Sequence, residues 1–257
     1  MLITSRKNDL IVRVCKLKDK KHRQNTGLFL LCGRKLISEA VVCRVKIKYI
    51  FATEKNKVEA ERVLPLCPGA ELYFTSEDVF TKLTDEQSPD GISAVAEIPA
   101  RNVSIPKDSF VLICDNLSDP GNAGAVLRSA RAFGAGAVVF CSGCADIYSQ
   151  KVLRGAMGAV FADNIITGAD TLSVITDLKN RGFKIYAAAL HTSAVPLKKA
   201  DLSGGCAVVI GNEGHGLSDG IISACGEALF IEMEPSCESL NAAVAASVIL
   251  YKRYAGG

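Results

Sequence analysis

The sequence predicts a two-domain α/β protein whose C-terminal domain is a doubly wound parallel sheet. First, 257 residues exceed the usual size of one domain, about 100 to 150 residues, so two domains are expected. Second, 49% of the residues are hydrophobic and 22% are charged, which is typical of a globular chain with a substantial core. Third, apolar runs of strand length alternate with stretches of helical spacing.

The N-terminal domain is predicted to span residues 1–97 as a compact α/β unit. Apolar residues recur at helical spacing in NDLIVRVCKL, RKLISEAVV, KVEAERVLP and SEDVFTKL. Shorter apolar runs between them indicate strands, and these are GLFLLCG, KIKYIFA and AELYF. A linker is predicted at residues 98–109, because Pro99 and Pro106 flank a polar stretch that suits neither a helix nor a central strand.

The C-terminal domain is predicted to span residues 110–257. Its strand-length runs are continuous, as expected for parallel strands with helices on both faces: VLICD, AVVFC, FKIYAAAL, CAVVIG and ALFIEM. The stretches of helical length and spacing are GAVLRSARAF, SQKVLRGAM, TLSVITDLKN and SLNAAVAASVILYKRY. Leu240, Val244 and Val248 form an i, i+4 stripe on the last of these, which indicates either a core face or a subunit contact.

Basic charge is concentrated at the N-terminal end of the chain. Residues 1–62 contain 16 Lys and Arg against 6 Asp and Glu, whereas residues 63–257 contain 14 basic and 21 acidic residues. Six of the basic residues lie close together: Arg13, Lys16, Lys18, Lys20, Lys21 and Arg23. Such a cluster can neutralise phosphates and so favours nucleic acid as a partner, and a solvated helix face is the alternative.

Composition also bears on location and on metal binding. The longest stretch without a charged residue, Ala132 to Ala145, is shorter than the roughly 20 apolar residues that span a bilayer. The N-terminus lacks the apolar block of a secretory signal, so a cytoplasmic protein with reduced cysteines is expected. Cys141 and Cys144 have CxxC spacing, but no second pair accompanies them, so no metal site is predicted.

Three loops that follow predicted strands contain the residues best suited to chemistry, because open α/β sheets bind ligands at the carboxyl ends of their strands. After VLICD, an Asp-Pro-Gly turn precedes Asn122, which stands where a helix N-cap is expected. Arg128 follows inside the predicted helix with no carboxylate partner in the sequence nearby. A semi-buried Arg128 would favour an anionic ligand, and a surface position or a remote ion pair is the alternative.

The second loop is Gly-rich and runs from Gly211 to Gly216. It lacks the Lys and Ser/Thr of a phosphate-binding loop, and its Glu213 is suited to a neutral or cationic ligand. The third loop contains Ser239 and Asn241, and Ser239 is the expected cap of the last helix. The three histidines, His22, His191 and His215, show no metal-ligand spacing and are predicted to be structural or exposed.

Taken together, the three loops resemble the signature motifs of the SpoU (TrmH-like) RNA 2′-O-ribose methyltransferases of the SPOUT class. The matching segments are residues 115–134, 208–218 and 231–247. Residues 3–40 look like the L30e-like substrate-binding domain of that family, and YSQKVLRGAMGAVF (residues 148–161) also matches. The resemblance therefore extends over nearly the whole chain.

This resemblance implies an S-adenosylmethionine-dependent enzyme with a deep trefoil knot in its C-terminal domain, acting as a homodimer. The catalytic residues it implies, each matching a motif position, are Asn122, Arg128, Glu213, Ser239 and Asn241. Gly211, Ile231 and Leu240 match positions whose backbone holds the cofactor. Because Arg remains protonated at neutral pH, an electrostatic role for Arg128 is preferred to that of a base.

Two departures from the family pattern stand out. Glu232 and Pro235 occupy third-motif positions where the family has Pro and Gly, and Cys32 replaces a common Glu before Gly33. The expected substrate is a ribose 2′-hydroxyl in ribosomal RNA, because an L30e-like domain accompanies the catalytic one. The alternatives are a transfer RNA 2′-O-methyltransferase and a non-catalytic RNA-binding or ribosome-assembly protein with the same fold.

Overall fold

The computed structural model describes residues 2–84, 89–191, 193–234, 236–237 and 239–256. The chain forms two compact units. The first contains residues 1–100 together with 148–161, and the second contains residues 101–147 and 162–257.

The first unit is built on a five-stranded mixed sheet. Its strands are β1 (Leu2–Ile3), β2 (Leu28–Cys32), β3 (Ile47–Thr53), β4 (Glu71–Thr75) and β5 (Ile92–Glu97). They lie in the order β1-β4-β3-β5-β2, and β5 runs antiparallel to both of its neighbours. Strands β2, β3 and β4 coincide with apolar runs in the sequence, whereas β1 and β5 were not among the predicted strands.

Six helices accompany this sheet among the described residues: α1 (Asp9–Cys15), α2 (Lys20–Thr26), α3 (Arg34–Val42), α4 (Lys57–Val63), α5 (Glu77–Thr84) and α7 (Gln150–Ala156). Helix α1 is capped by Asn8, whose side chain accepts from two backbone N–H groups. Its apolar face packs with α5 and with buried Phe51 of β3 to form the core of the unit.

Segment 148–161, which the sequence pattern assigns to the C-terminal domain, packs with the first unit. The rings of Tyr148 and Phe29 lie 4.8 Å apart, and Gln150 Nε2 donates to the carbonyl of Leu30 at 2.6 Å. Phe161 also packs against Phe29, with 6.3 Å between ring centroids. Burial of this segment's aromatic and aliphatic side chains against β2 explains the placement.

Arg23 is not available to phosphates, contrary to the prediction from the basic cluster. Its side chain is buried, and its guanidinium donates to the carbonyls of Leu17 and Lys18 at 2.7 and 2.8 Å. These bonds satisfy carbonyls at the turn between α1 and α2, so Arg23 is a structural residue. The other five members of the cluster are exposed.

The second unit has a seven-stranded, all-parallel sheet, which confirms the predicted parallel fold. Its strands are β6 (Phe110–Cys114), β7 (Ala137–Cys141), β8 (Ile165–Ala169), β9 (Lys184–Ala188), β10 (Val195–Pro196), β11 (Cys206–Ile210) and β12 (Glu227–Phe230). Their order is β10-β12-β9-β11-β6-β7-β8. The central strands β6, β7 and β11 are completely buried. Strands β8 and β10 were not predicted.

The helices of this unit are α6 (Pro120–Ala132), α8 (Thr171–Asn180), α9 (Asp219–Cys225) and α10 (Ala242–Ala255). Helices α6 and α10 pack together, and the hydroxyls of Ser129 and Ser247 lie 2.7 Å apart at their contact. Within the described parts of the chain, no helix is long and apolar enough to cross a membrane.

Candidate active site

The loops after β6 and β11 are joined at the carboxyl edge of the sheet. These strands are neighbours, and the amide of Asp115, just past β6, donates to the carbonyl of Ile210 at 2.8 Å. The third loop follows β12, which pairs with β9 on the other side of β11. The parallel topology thus places the three loops at the edge where such sheets bind ligands.

The side chain of Asn212 fixes the shape of the Gly-rich loop. Its Nδ2 donates to the carbonyl of Asn116 at 3.1 Å, and its Oδ1 accepts from the amide of Gly214 at 2.8 Å. Its backbone carbonyl accepts from the amide of Gly216 at 2.9 Å, which closes the loop on itself. Asn212 therefore ties the second loop to the first, although sequence reasoning did not select it.

Gly211 stands where no side chain fits. A Cβ at this position would lie 2.5 Å from the carbonyl carbon and oxygen of Gly216 and 2.9 Å from the amide nitrogen of Leu217. These neighbours are backbone atoms that cannot rotate away. The close approach explains why the loop requires glycine immediately after β11.

Hydrogen bonds connect one predicted catalytic residue from each loop. Asn241 Nδ2 donates to Asn122 Oδ1 at 2.9 Å, and Asn122 Nδ2 in turn donates to Glu213 Oε1. The Oδ1 of Asn241 accepts from the amides of Ala243 and Val244 at the start of α10. We refer to this arrangement as the Asn241–Asn122–Glu213 chain.

Two predicted helix caps were wrong by a few residues. Helix α6 is capped by Asp119, whose carboxylate accepts from the amide of Asn122 at 2.8 Å, so Asn122 lies in the first turn. Helix α10 is capped by Asn241 and not by Ser239. Because Asp119 supplies the cap of α6, the side chain of Asn122 is released to join the chain of hydrogen bonds.

A cavity of about 440 Å³ lies beside the Gly-rich loop. Four predicted site residues besides Glu213 line it: Gly211, Ile231, Ser239 and Leu240. Apolar and small residues form much of the remaining wall, including Ala188, Leu229 and Ala242. A cavity of this size that combines apolar walls with several polar side chains is typical of a small-molecule site.

The cavity also includes residues that the sequence reasoning did not assign to a ligand. The segment after β9 contributes Ala189, Leu190 and His191, and His215 lies in the Gly-rich loop. The sequence signal was the run of small residues in FKIYAAAL, which ends at the same sheet edge as the motifs. Both histidines are exposed, and His191 Nδ1 lies 3.0 Å from the hydroxyl of Ser193.

Arg128 lies on the exposed surface of α6, so the semi-buried placement considered for it was wrong. Within the described part of the chain, no hydrogen bond joins Arg128 to Asn122, Glu213 or Asn241. The fold of one chain therefore brings together four of the predicted catalytic residues at or beside the cavity and leaves the arginine outside their hydrogen bonds.

The pair of cysteines with CxxC spacing is part of the core. Cys144 Sγ donates to the carbonyl of Cys114 at 3.1 Å and accepts from the amide of Leu117 at 3.2 Å. Burial raises the pKa of the Cys144 thiol to about 11 and also raises that of Cys141, which keeps both thiols protonated at neutral pH. Residues 2–84, 89–191, 193–234, 236–237 and 239–256 contain no His, Cys, Asp and Glu cluster suited to a metal ion.

Two of the three residues that depart from the family pattern lie in the described part of the structure. Glu232 forms an ion pair with Lys198, which follows β10. Cys32 is buried at the end of β2. Pro235 lies outside the described residues.

Comparisons with known proteins agree with this geometry. Residues 109–251 match the SpoU rRNA Methylase family, and residues 8–94 match the MRM3-like substrate binding domain. The 23S rRNA (guanosine(2553)-2'-O)-methyltransferase RlmP of Bacillus subtilis is 33% identical over 97% of this chain and 97% of its own. The mitochondrial rRNA methyltransferase 3 of Homo sapiens is 29% identical, with 92% of this chain and 69% of that protein covered.

A solved structure shares both units. The AdoMet-bound rRNA methyltransferase from Sinorhizobium meliloti has a TM-score of 0.88 and 25% identity. The match covers 100% of this chain and 98% of that one.

Proposed function

Since the chain belongs to the SpoU rRNA methylase family, we propose that it transfers a methyl group from S-adenosylmethionine to a ribose 2′-hydroxyl of ribosomal RNA. The observation that carries this proposal is the Asn241–Asn122–Glu213 chain at the edge of the cavity. It joins Asn122 to Glu213, which is 91 positions away in the sequence, and to Asn241, which is 119 positions away. The ribosomal substrate is supported by the bacterial and mitochondrial relatives, which are named as rRNA methyltransferases.

The cavity residues fit S-adenosylmethionine. Gly211, in the loop after β11, lines the cavity together with the apolar residues Ile231 and Leu240. Glu213 supplies a carboxylate to the same wall, which suits a cationic ligand. When bound, S-adenosylmethionine supplies an electrophilic methyl group on a positively charged sulfur. The side chains must then hold the ribose hydroxyl in line with that methyl group.

We assign Arg128 the role of anchoring an RNA phosphate and stabilising negative charge near the reacting hydroxyl. An exposed guanidinium matches the geometry of phosphate oxygens and remains charged at neutral pH. We also assign to Ser239, which lines the cavity, and to Asn241, which caps α10, contacts with the ribose or its neighbouring groups. These roles belong to the proposal.

The proposal includes a homodimer formed through α6 and α10. Val244, Val248 and Tyr251 are 47%, 36% and 57% exposed, and Tyr251 packs edge-on against Phe133 at 5.6 Å. This apolar groove is continuous with the site, since Asn122 and Asn241 also line it. A second copy seated here would cover the apolar face and place its own α6, with Arg128, near these asparagines.

Further parts of the proposal concern the chain path and the RNA. We place the trefoil knot at the loops after β11 and β12, as the family resemblance implies. We retain residues 1–97, 98–109 and 110–257 as the proposed functional limits of substrate-binding domain, linker and methyltransferase domain.

The exposed Lys20 and Lys21 would contact RNA phosphates. All ten cysteines are free, which agrees with a reducing compartment such as the cytoplasm.

Calorimetry with S-adenosylmethionine tests the proposal without RNA. We expect one site per chain with a dissociation constant near micromolar, about −8 kcal/mol. Gly211→Ala should abolish this binding. Absence of binding to the native protein, both alone and with added ribosomal RNA, would favour the non-catalytic RNA-binding alternative.

A further inference from the structure

We propose that Glu213 is the proton acceptor for the ribose 2′-hydroxyl, held in place by the Asn241–Asn122–Glu213 chain. The inference rests on the proposed function. It assigns to a carboxylate the step that the exposed arginine is chemically unsuited to perform.

The direction of every hydrogen bond in the chain is fixed by the backbone. The amides of Ala243 and Val244 can only donate, so the atom of Asn241 that faces them at 3.0 and 3.2 Å must be oxygen. The other end of Asn241 is therefore its NH₂ group, and the atom of Asn122 that it meets at 2.9 Å is the acceptor Oδ1. The NH₂ group of Asn122 then points at Glu213.

This direction defines how the Glu213 side chain is oriented. The carboxylate receives a hydrogen bond on Oε1 from an NH₂ group whose own oxygen is already engaged. The bond to Asn122 is directed at Oε1, so Oε2 is the oxygen assigned to the ribose hydroxyl.

Competing groups near the cavity are less suited to the task. Arginine side chains are not deprotonated in proteins, and Asn side chains do not accept protons in water. His191, His215 and Asp219 line the cavity, but none is hydrogen-bonded to Asn122 or Asn241 within the described residues. Of these four titratable groups on the cavity wall, Glu213 is the one hydrogen-bonded to a motif asparagine, Asn122.

The step balances in atoms and charge. The ribose O–H bond breaks and its proton goes to Glu213 Oε2, while the oxygen lone pair forms the new bond to the methyl carbon. The electron pair of the carbon–sulfur bond stays on sulfur. Carboxylate and sulfonium charges thereby cancel, and Glu213 afterwards returns its proton to water.

The substitution Glu213→Gln removes the proton-accepting oxygen and keeps the shape of the side chain. Glutamine retains an Oε1 that accepts from Asn122 but has no basic oxygen. We expect kcat to fall by about 100-fold or more, in the range of general acid–base catalysis. The loss should persist in kcat at saturating S-adenosylmethionine and RNA, which separates proton transfer from ground-state binding by the carboxylate on the cavity wall. Glu234→Gln, on the exposed third loop and outside the cavity wall, is the matched control and should retain native kcat.

Chemical rescue distinguishes a base from a residue that only supports the loop. Glu213→Ala leaves room for a small carboxylate, so formate should restore activity in a saturable way and chloride should not. In NMR spectra of the ligand-free protein, the side-chain NH₂ resonances of Asn122 should shift in Glu213→Ala and in Asn241→Asp. These shifts test the Asn241–Asn122–Glu213 chain without measuring turnover.

The outcomes separate this inference from the proposed function. Near-native kcat in Glu213→Gln, or loss of activity in Glu213→Ala without rescue by formate, overturns the assignment of Glu213 while native methyl transfer stands. A native protein that binds no S-adenosylmethionine and methylates no RNA overturns the proposed function itself.

Discussion

Asn241 and Asn122, which are 119 positions apart in the sequence, share a hydrogen bond of 2.9 Å at the edge of the cavity. Asn241 has two tasks, because its oxygen caps α10 while its NH₂ group orients Asn122. The two tasks can be separated by substitution.

Asn241→Asp should retain the cap and lose the catalytic alignment. Asp and Asn are about equally good caps, so the melting temperature should stay near that of the native protein. The missing NH₂ group frees Asn122 to rotate away from Glu213, and we expect kcat to fall by about 10-fold or more, the value of one charge-assisted hydrogen bond. Asn241→Ala should cost about 1 kcal/mol in unfolding free energy as well. Equal melting temperatures in both variants would contradict the assigned cap.

Gly211→Ala should abolish binding of S-adenosylmethionine. Its Cβ would overlap backbone atoms of Gly216 at 2.5 Å, so the loop has to move and the cavity wall moves with it. Gly214→Ala is the matched control in the same loop, because its Cβ would meet only Asn212 Oδ1, at 3.4 Å. Calorimetry on both variants provides the measurement. Similar affinities in the two would rule out the close approach as the reason for glycine.

Val244→Asp should prevent formation of the proposed homodimer and leave a monomer. Val244 is 47% exposed in one chain, and an aspartate there would be buried without a partner in the proposed contact. Sedimentation velocity measures the change, and methyl transfer should fall with it if the second copy supplies Arg128. Val58→Asp, at an exposed valine of the first unit, should leave the dimer intact. A dimer that survives Val244→Asp would place the subunit contact elsewhere.

Substitution of Arg23 should lower the unfolding free energy, whereas substitution of Lys21 should weaken RNA binding. Arg23→Ala removes a buried side chain and leaves the Leu17 and Lys18 carbonyls without their donor, so we expect a loss of about 2 to 3 kcal/mol in unfolding free energy. Lys21→Ala should leave stability unchanged and weaken RNA binding, with the salt dependence reduced by about one phosphate contact. Denaturant titration and binding at several salt concentrations distinguish the two. Unchanged stability in Arg23→Ala would be incompatible with the structural role.

Apolar runs in the sequence were sufficient to predict much of the C-terminal sheet. They did not predict which residue caps α10 or where residues 148–161 pack. CAVVIG and AVVFC are completely apolar and correspond to the buried strands β11 and β7. Ser239 and Asn241 are both competent caps, and Asn241 is the cap because α10 begins at Ala242 and the Asn241 Oδ1 accepts from the amides of Ala243 and Val244. The placement of residues 148–161 depends on contacts with β2, which no local spacing encodes.

The basic cluster predicted exposed charge correctly for five of its six residues and wrongly for Arg23. Arg23 lies in a run of exposed lysines, and nothing in that run signals that its guanidinium is needed by two carbonyls. Strand β8, IITGA, ends in small residues and a glycine, so its apolar run was too short to stand out.

The most direct test of the central claim is methyl transfer to ribose. The native protein is incubated with methyl-labelled S-adenosylmethionine and unmodified ribosomal RNA, and the RNA is digested to nucleosides. We predict label in a single 2′-O-methylated nucleoside, with Arg128→Ala folded, dimeric and severely impaired. Label on a base, or no label with ribosomal RNA under conditions where the cofactor binds, would contradict the account.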